Sequence, residues 1–259
     1  MNKFYLIALL SLFLVGQVQA KNSFLVAPAI INFDMDEPLT QSFIITNDGD
    51  EPIRLNIKPV YYPIDSNSLR LGSHLDAETV TIEDITSSIR LSPKRLSLKP
   101  GQRRDIRVSI RPKKDQAEGT YRSHILVQML ETAQVIQTVA EGGSSVDMRL
   151  SMKMETAVAV YGNKGEGQPL LNFSCRQQED SDQLLLEVTN SSVWRFDGDI
   201  TLVTKAQPGE ALYEDRLVSM RGSNNPVKIE KKYNPQAGYQ VIYASFDQPE
   251  LKNTVDCAA

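Results

Sequence analysis

Along most of this chain hydrophobic and polar residues alternate in short runs broken by turn residues, and the 3.6-residue recurrence of an amphipathic helix is nearly absent. Residues 24–33 read as a first strand, with Pro28 confining it to an edge or a bulge because proline cannot donate to a ladder. In residues 41–46, Phe43 and Ile45 share one face, and Asn47-Asp48-Gly49-Asp50 then forms a turn. Residues 53–60 alternate again, with Ile53, Leu55 and Ile57 opposite Arg54, Asn56 and Lys58. Residues 66–88 are polar and ambiguous between a short helix and a strand, and carry no assigned role. Alternation resumes over 89–98 and 105–110, on either side of the turn Lys99-Pro100-Gly101-Gln102. Residues 121–130 then place Tyr121, Ile125, Val127 and Met129 on one face, and 141–145 connect onward.

Residues 146–161 are the most informative stretch, because sixteen residues of strand-like sequence exceed the usual five or six. Met148, Leu150, Met152, Met154, Thr156, Val158 and Val160 fall on one face. The other carries Asp147, Arg149, Ser151, Lys153 and Glu155 before turning apolar at Ala157 and Ala159. Residues 162–169, rich in glycine and polar side chains, read as a linker. Beyond them strands are expected at 170–176, 183–189, 199–205, 227–231 and 238–246, with turns at 190–192, 207–209 and 224–226. The fold class is therefore all-β, with two sandwich domains in tandem at 21–161 and 170–259.

The first twenty residues differ from all of this. Lys3 supplies a positive start, residues 4–15 run apolar apart from Ser11, and Val18-Gln19-Ala20 ends in a small-x-small pattern. That layout is a secretory signal cleaved after Ala20, the alternative being a retained membrane anchor. No other stretch approaches a membrane span, so no stable insertion of the remaining chain is expected. A net charge of −4 gives no electrostatic footprint for nucleic acid. Export to an oxidising compartment favours a disulfide between Cys175 and Cys257, two buried thiols being the alternative.

Catalytic chemistry is thinly provided. With only His74 and His124, neither a three-histidine zinc site nor a His-Glu-x-x-His helix can be built, and no G-x-S-x-G elbow occurs. Gly162 to Gly167 lacks the order of a phosphate loop, and Asp34, Asp36 and Glu37 lack the spacing of a calcium loop. His124 is expected at the solvent side or the rim of its strand. No enzyme, cofactor or metal is expected.

The order of several segments resembles the periplasmic chaperones of the chaperone-usher pathway, the PapD-like family that escorts pilus subunits to an outer-membrane usher. The residues that carry the resemblance are Thr46-Asn47-Asp48-Gly49-Asp50-Glu51-Pro52, then Leu91-Ser92-Pro93-Lys94-Arg95-Leu96-Ser97-Leu98-Lys99-Pro100-Gly101-Gln102. They continue with Ile106-Arg107-Val108, Gly119-Thr120-Tyr121-Arg122-Ser123-His124 and the long strand ending Val160-Tyr161-Gly162. The resemblance implies two immunoglobulin-like domains, a periplasmic location and pilus or fimbrial subunits and an usher as partners. It also implies that Met148, Leu150, Met152 and Met154 form a strand donated to the subunit's groove, the alternative being that this face lines the protein's own core. The family's basic pair for the subunit's C-terminal carboxylate is missing, since residues 24–33 hold no base and Val158 stands where the lysine is expected. Arg122, Arg149 or Lys153 are substitutes, each otherwise a solvated strand residue. Arg107 is implied to be a buried or interdomain structural arginine. A two-domain structural or adhesive surface protein remains the rival reading.

Overall fold

Each long run of period-two alternation buries one face against another sheet, and two sandwiches result. The structure, a computed structural model, describes residues 22–37, 39–62, 82–113, 115–141 and 144–258; for 132–141 and 144–151 only the backbone strand is described. The expected signal at 1–20 and His74 lie outside these residues.

In the first sandwich one sheet runs β1 (Phe24–Ala27), β3 (Thr40–Asn47), β7 (Arg103–Ile110), β5 (Ile89–Ser92). The facing sheet runs β2 (Ile30–Asp34), β9 (Ser144–Lys164), β8 (Gly119–Glu141), β4 (Ile53–Val60), β6 (Arg95–Leu98). Residues 24–33 are thus two strands in two sheets: β1 pairs antiparallel with β3, and past Pro28 the chain crosses over so that β2 pairs parallel with β9. Phe43, Ile45, Ile57, Ile106, Val127 and Val160 fill the space between the sheets.

In the second sandwich β10 (Leu171–Gln177), β11 (Gln183–Asn190) and β14 (Asn224–Lys232) face β13 (Gln207–Ser219), β12 (Phe196–Thr204), β15 (Tyr239–Ser245) and β16 (Lys252–Asp256). Leu186, Val188, Phe196, Leu202 and Val241 form a separate core. Cys175 of β10 is bonded to Cys257 just past β16, closing a sequence separation of 82. The bond joins the edges of the two sheets, so the thiols are not free.

Four local expectations are corrected. Residues 162–164 do not belong to a linker but complete β9, paired to β2 and β8. Residues 207–209 open β13 instead of turning, and 224–226 open β14. The strands β13 and β16 have no counterpart in the sequence reading. Arg107 is exposed on β7, between Ser42 and Ser92 of its neighbours, and is neither buried nor interdomain.

The two sandwiches touch through the start of β8. The Thr120 amide donates to the Val193 carbonyl at 2.9 Å, and the Arg195 amide donates to Thr120 Oγ1 at 3.0 Å. Gly119 sits at φ +132, and a Cβ there would lie 3.0 Å from the Val193 carbonyl oxygen, so this contact requires glycine. The Arg195 guanidinium lies 4.0 Å from the ring centroid of Tyr161, at the base of β9. Among the described residues no helix is long and apolar enough to cross a membrane.

Candidate functional site

The β8–β9 hairpin outgrows its sandwich. Val158 and Val160 of β9 are buried in the core, whereas residues 152–157 are exposed. The two strands pair from Gly119↔Lys164 to Gln128↔Glu155, and again from Thr132↔Lys153 to Glu141↔Ser144. Between these ladders Met129, Leu130 and Glu131 are set against Met154 alone.

Beside β9, β2 pairs only with residues 159–163, and past Ala29 the chain has left for the other sheet. Among the described residues, 144–157 therefore have β8 on one side and no strand on the other. A strand of that length presents an open edge of roughly 45 Å. Every second backbone N–H and C=O along it points away from β8, ready for another chain.

β9 itself is regular, so the face of Val158 and Val160 continues through Thr156 to Met154 and Met152. Met152 is 45% exposed and Met154 37% exposed. The side chains of Met148, Arg149 and Leu150 lie outside the described residues; their backbones pair with Gln137, Ile136 and Val135. Thioethers in water, on a two-stranded ribbon that is marginal by itself, are what a third strand and an apolar cover would stabilise.

On the opposite face of the same sheet, at the ribbon's base, stands a polar cluster. Arg122 is only 1% exposed, so it is not the solvated residue expected. Its Nη2 donates to Glu83 Oε1 at 2.6 Å and to the Tyr61 hydroxyl at 3.2 Å, and its Nη1 donates to the Tyr62 carbonyl at 3.0 Å. Glu83 comes from the stretch that the sequence left without a role, 39 residues from Arg122, so the pair left no local signal in the sequence. Lys153, by contrast, is exposed. Of the three basic candidates, one is therefore already paired, one is free in solvent, and Arg149 is placed by its backbone alone.

His124 is 4% exposed, so it is not on the solvent side and stands instead in the wall of a cleft, with its ring 5.4 Å from that of Tyr62. Burial, helped by the Arg122 charge, lowers its pKa to about 4, so it is neutral at ordinary pH. Burial and the Glu83 carboxylate push the Tyr61 hydroxyl well up. Ser123 is sequence-adjacent to His124 but points to the other face and donates to the Val60 carbonyl at 2.8 Å, so the two form no nucleophile–base pair. His124 and Ala159 line one wall of a cleft of about 510 Å³, and Tyr213, Arg216 and Met220 of the second sandwich line the other. Arg216 is held there by Asp197 through two bonds of 2.8 and 2.9 Å. No group of three His, Cys, Asp or Glu among the described residues is placed to hold a metal ion.

No protein-family model and no curated protein sequence matches the chain. Solved structures do match it. The YadV chaperone is 10% identical, with a TM-score of 0.53, over 90% of this chain and 98% of that one. The CsuC–CsuE chaperone–tip adhesion subunit pre-assembly complex, from archaic chaperone-usher Csu pili of Acinetobacter baumannii, is 15% identical, with a TM-score of 0.52, over 91% and 98%. The E. coli chaperone DraB is 11% identical, with a TM-score of 0.50, over 92% and 98%. At such identities the likeness is one of fold, and it extends over both sandwiches, bearing out the expected pair of immunoglobulin-like domains.

Proposed function

We propose that this chain is a periplasmic chaperone that holds pilus or fimbrial subunits by lending them β9, and that it delivers them to an outer-membrane usher. The observation that carries the reading is the open edge of residues 144–157, with Met152 and Met154 exposed on its apolar side. A subunit that lacks one strand of its own sandwich exposes a groove and an unpaired edge. β9 answers both needs, since its free backbone groups extend the subunit's sheet and its alternate side chains enter the groove. Each fully buried Met or Leu adds about 1.5 to 3 kcal/mol. Methionine's flexible thioether lets one strand fit grooves of different shape.

The solved neighbours support the reading, since CsuC–CsuE is a complex of a chaperone with a tip adhesion subunit. The leader at 1–20 directs the chain to the periplasm. A structural or adhesive surface module would be expected to cover so long an edge or break it with proline; residues 144–157 contain no proline, and Asp147, Arg149, Lys153 and Glu155 alternate in sequence with the apolar positions. With Arg122 paired to Glu83, Lys153 and Arg149 are the bases left for a client's terminal carboxylate.

The test is co-expression with pilus subunits followed by pull-down, comparing the natural chain with Leu150→Asp and Met152→Asp. A carboxylate carried into an apolar groove costs several kcal/mol, so both variants lose capture while folding normally. Folded variants that still retain subunits would refute the donor assignment.

A further inference from the structure

The point at which the ribbon leaves the sandwich is marked by one side chain. The β4–β8 ladder runs from Val60↔His124 to Leu55↔Met129 and stops there. Had it continued, Arg54 would face Leu130 and its amide would bond to β8. Instead β8 inserts two extra residues, Met129 stays in the core, and Leu130 is 43% exposed. Glu131 then reaches back across the gap. Its Oε2 accepts from the Arg54 amide at 2.8 Å, and its Oε1 accepts from Arg54 Nε at 2.7 Å. Partial burial pushes the Glu131 carboxyl up, but the bonds from the Arg54 side chain and amide outweigh this and hold it below the usual carboxylate range. On its other side β4 remains paired, Arg54 with Ser97 and Leu55 with Leu96 of β6.

We infer that Glu131 is a positioning residue that ends the β4–β8 ladder and aims the β8–β9 ribbon away from the sandwich, so that residues 144–157 are presented as an open edge. The physical argument is one of competition. Without Glu131 the Arg54 amide needs another acceptor, and the nearest one in kind is the β8 main chain. Taking it would draw out the bulge, shift β8 against β4 and swing the ribbon. A carboxylate suits this task because it bonds the amide and guanidinium together, and so stops the ladder without offering a strand in return. A surface ion pair of this kind contributes little to global stability, so its effect is expected in geometry and not in melting temperature.

The inference rests on the client-binding reading of the ribbon, and the experiment separates the two. In the full mature chain with its disulfide intact, spin labels at Ser97→Cys and Met152→Cys report the distance from β6 to the ribbon. This is measured in the natural background and with Glu131→Ala, Glu131→Gln and Arg54→Ala. Exchange of the Arg54 amide with solvent deuterium and the melting temperature are followed in parallel. Glu131→Ala shifts or broadens the distance distribution and speeds exchange at Arg54 about tenfold. Glu131→Gln and Arg54→Ala, which keep the acceptor and the amide, stay near the natural values, and all melt within a few degrees of it. An unchanged distance in Glu131→Ala would overturn the positioning role, as would a large melting loss shared by Glu131→Gln. Pull-down of co-expressed pilus subunits by the natural chain is the separate arm. Failure there beside a shifted distance removes the client reading and leaves the positioning role, and capture beside an unshifted distance does the reverse.

Discussion

At the scale of single residues, the cluster beneath the ribbon shows how a charged side chain can be interior to a sheet face. Arg122 is tolerated because Glu83, Tyr61 and the Tyr62 carbonyl together take its donors. His124 sits beside it as a neutral imidazole and makes stability depend on pH. Its folded pKa of about 4 lies below the unfolded value near 6.5, so between these limits the unfolded chain binds the extra proton. Its contribution is fully present above pH 6.5 and is lost as pH falls towards 4, by about 3 kcal/mol at most. Urea midpoints measured from pH 7 to 4 should fall accordingly, and His124→Gln should flatten that limb; an equally steep limb in the variant would show that His124 is not its source. Arg122 was legible in the sequence as a base within a strand, but not as buried, because its acid partner stands 39 residues away in a segment without periodicity.

At the scale of elements, the legible strands are those with a clean period of two and a strong apolar face, such as Ile53–Val60 and the lower half of β9. The strand β13 was missed because Gln207-Pro208-Gly209 has turn composition and its first five residues are exposed. The second half of β8 was missed because Thr132, Gln134, Gln137 and Thr138 dilute the alternation, although register shows the strand continuing to Glu141. Nothing local distinguishes residues 24–33 as two strands in different sheets. That division follows from which partner each half finds across the chain. The disulfide is an element-scale device too, tying β10 to the segment beyond β16. Replacing Cys175 and Cys257 by serine should destabilise the second sandwich by about 3 to 5 kcal/mol in the chain-entropy model. Trp194, the single tryptophan, lies in that half and reports its urea transition by fluorescence. A transition that does not move would mean that the sheets hold without the bond.

At the scale of the whole molecule, two sandwiches with separate cores meet where β8 begins, so the strand that contacts the second domain at Thr120 runs on to become one half of the ribbon. The first sandwich anchors β9 through Val158 and Val160, the second packs Arg195 on Tyr161 at its base, and the remainder projects with one edge unpaired. The proposed chaperone role requires that edge to be filled by another chain. The most direct measurement is amide hydrogen exchange along residues 144–157, in the free protein and in complex with a captured pilus subunit. Alternate amides, those turned away from β8, should exchange rapidly in the free protein and become strongly protected in the complex, with the others little changed. Subunit bound with exchange along 144–157 unaltered would contradict strand donation.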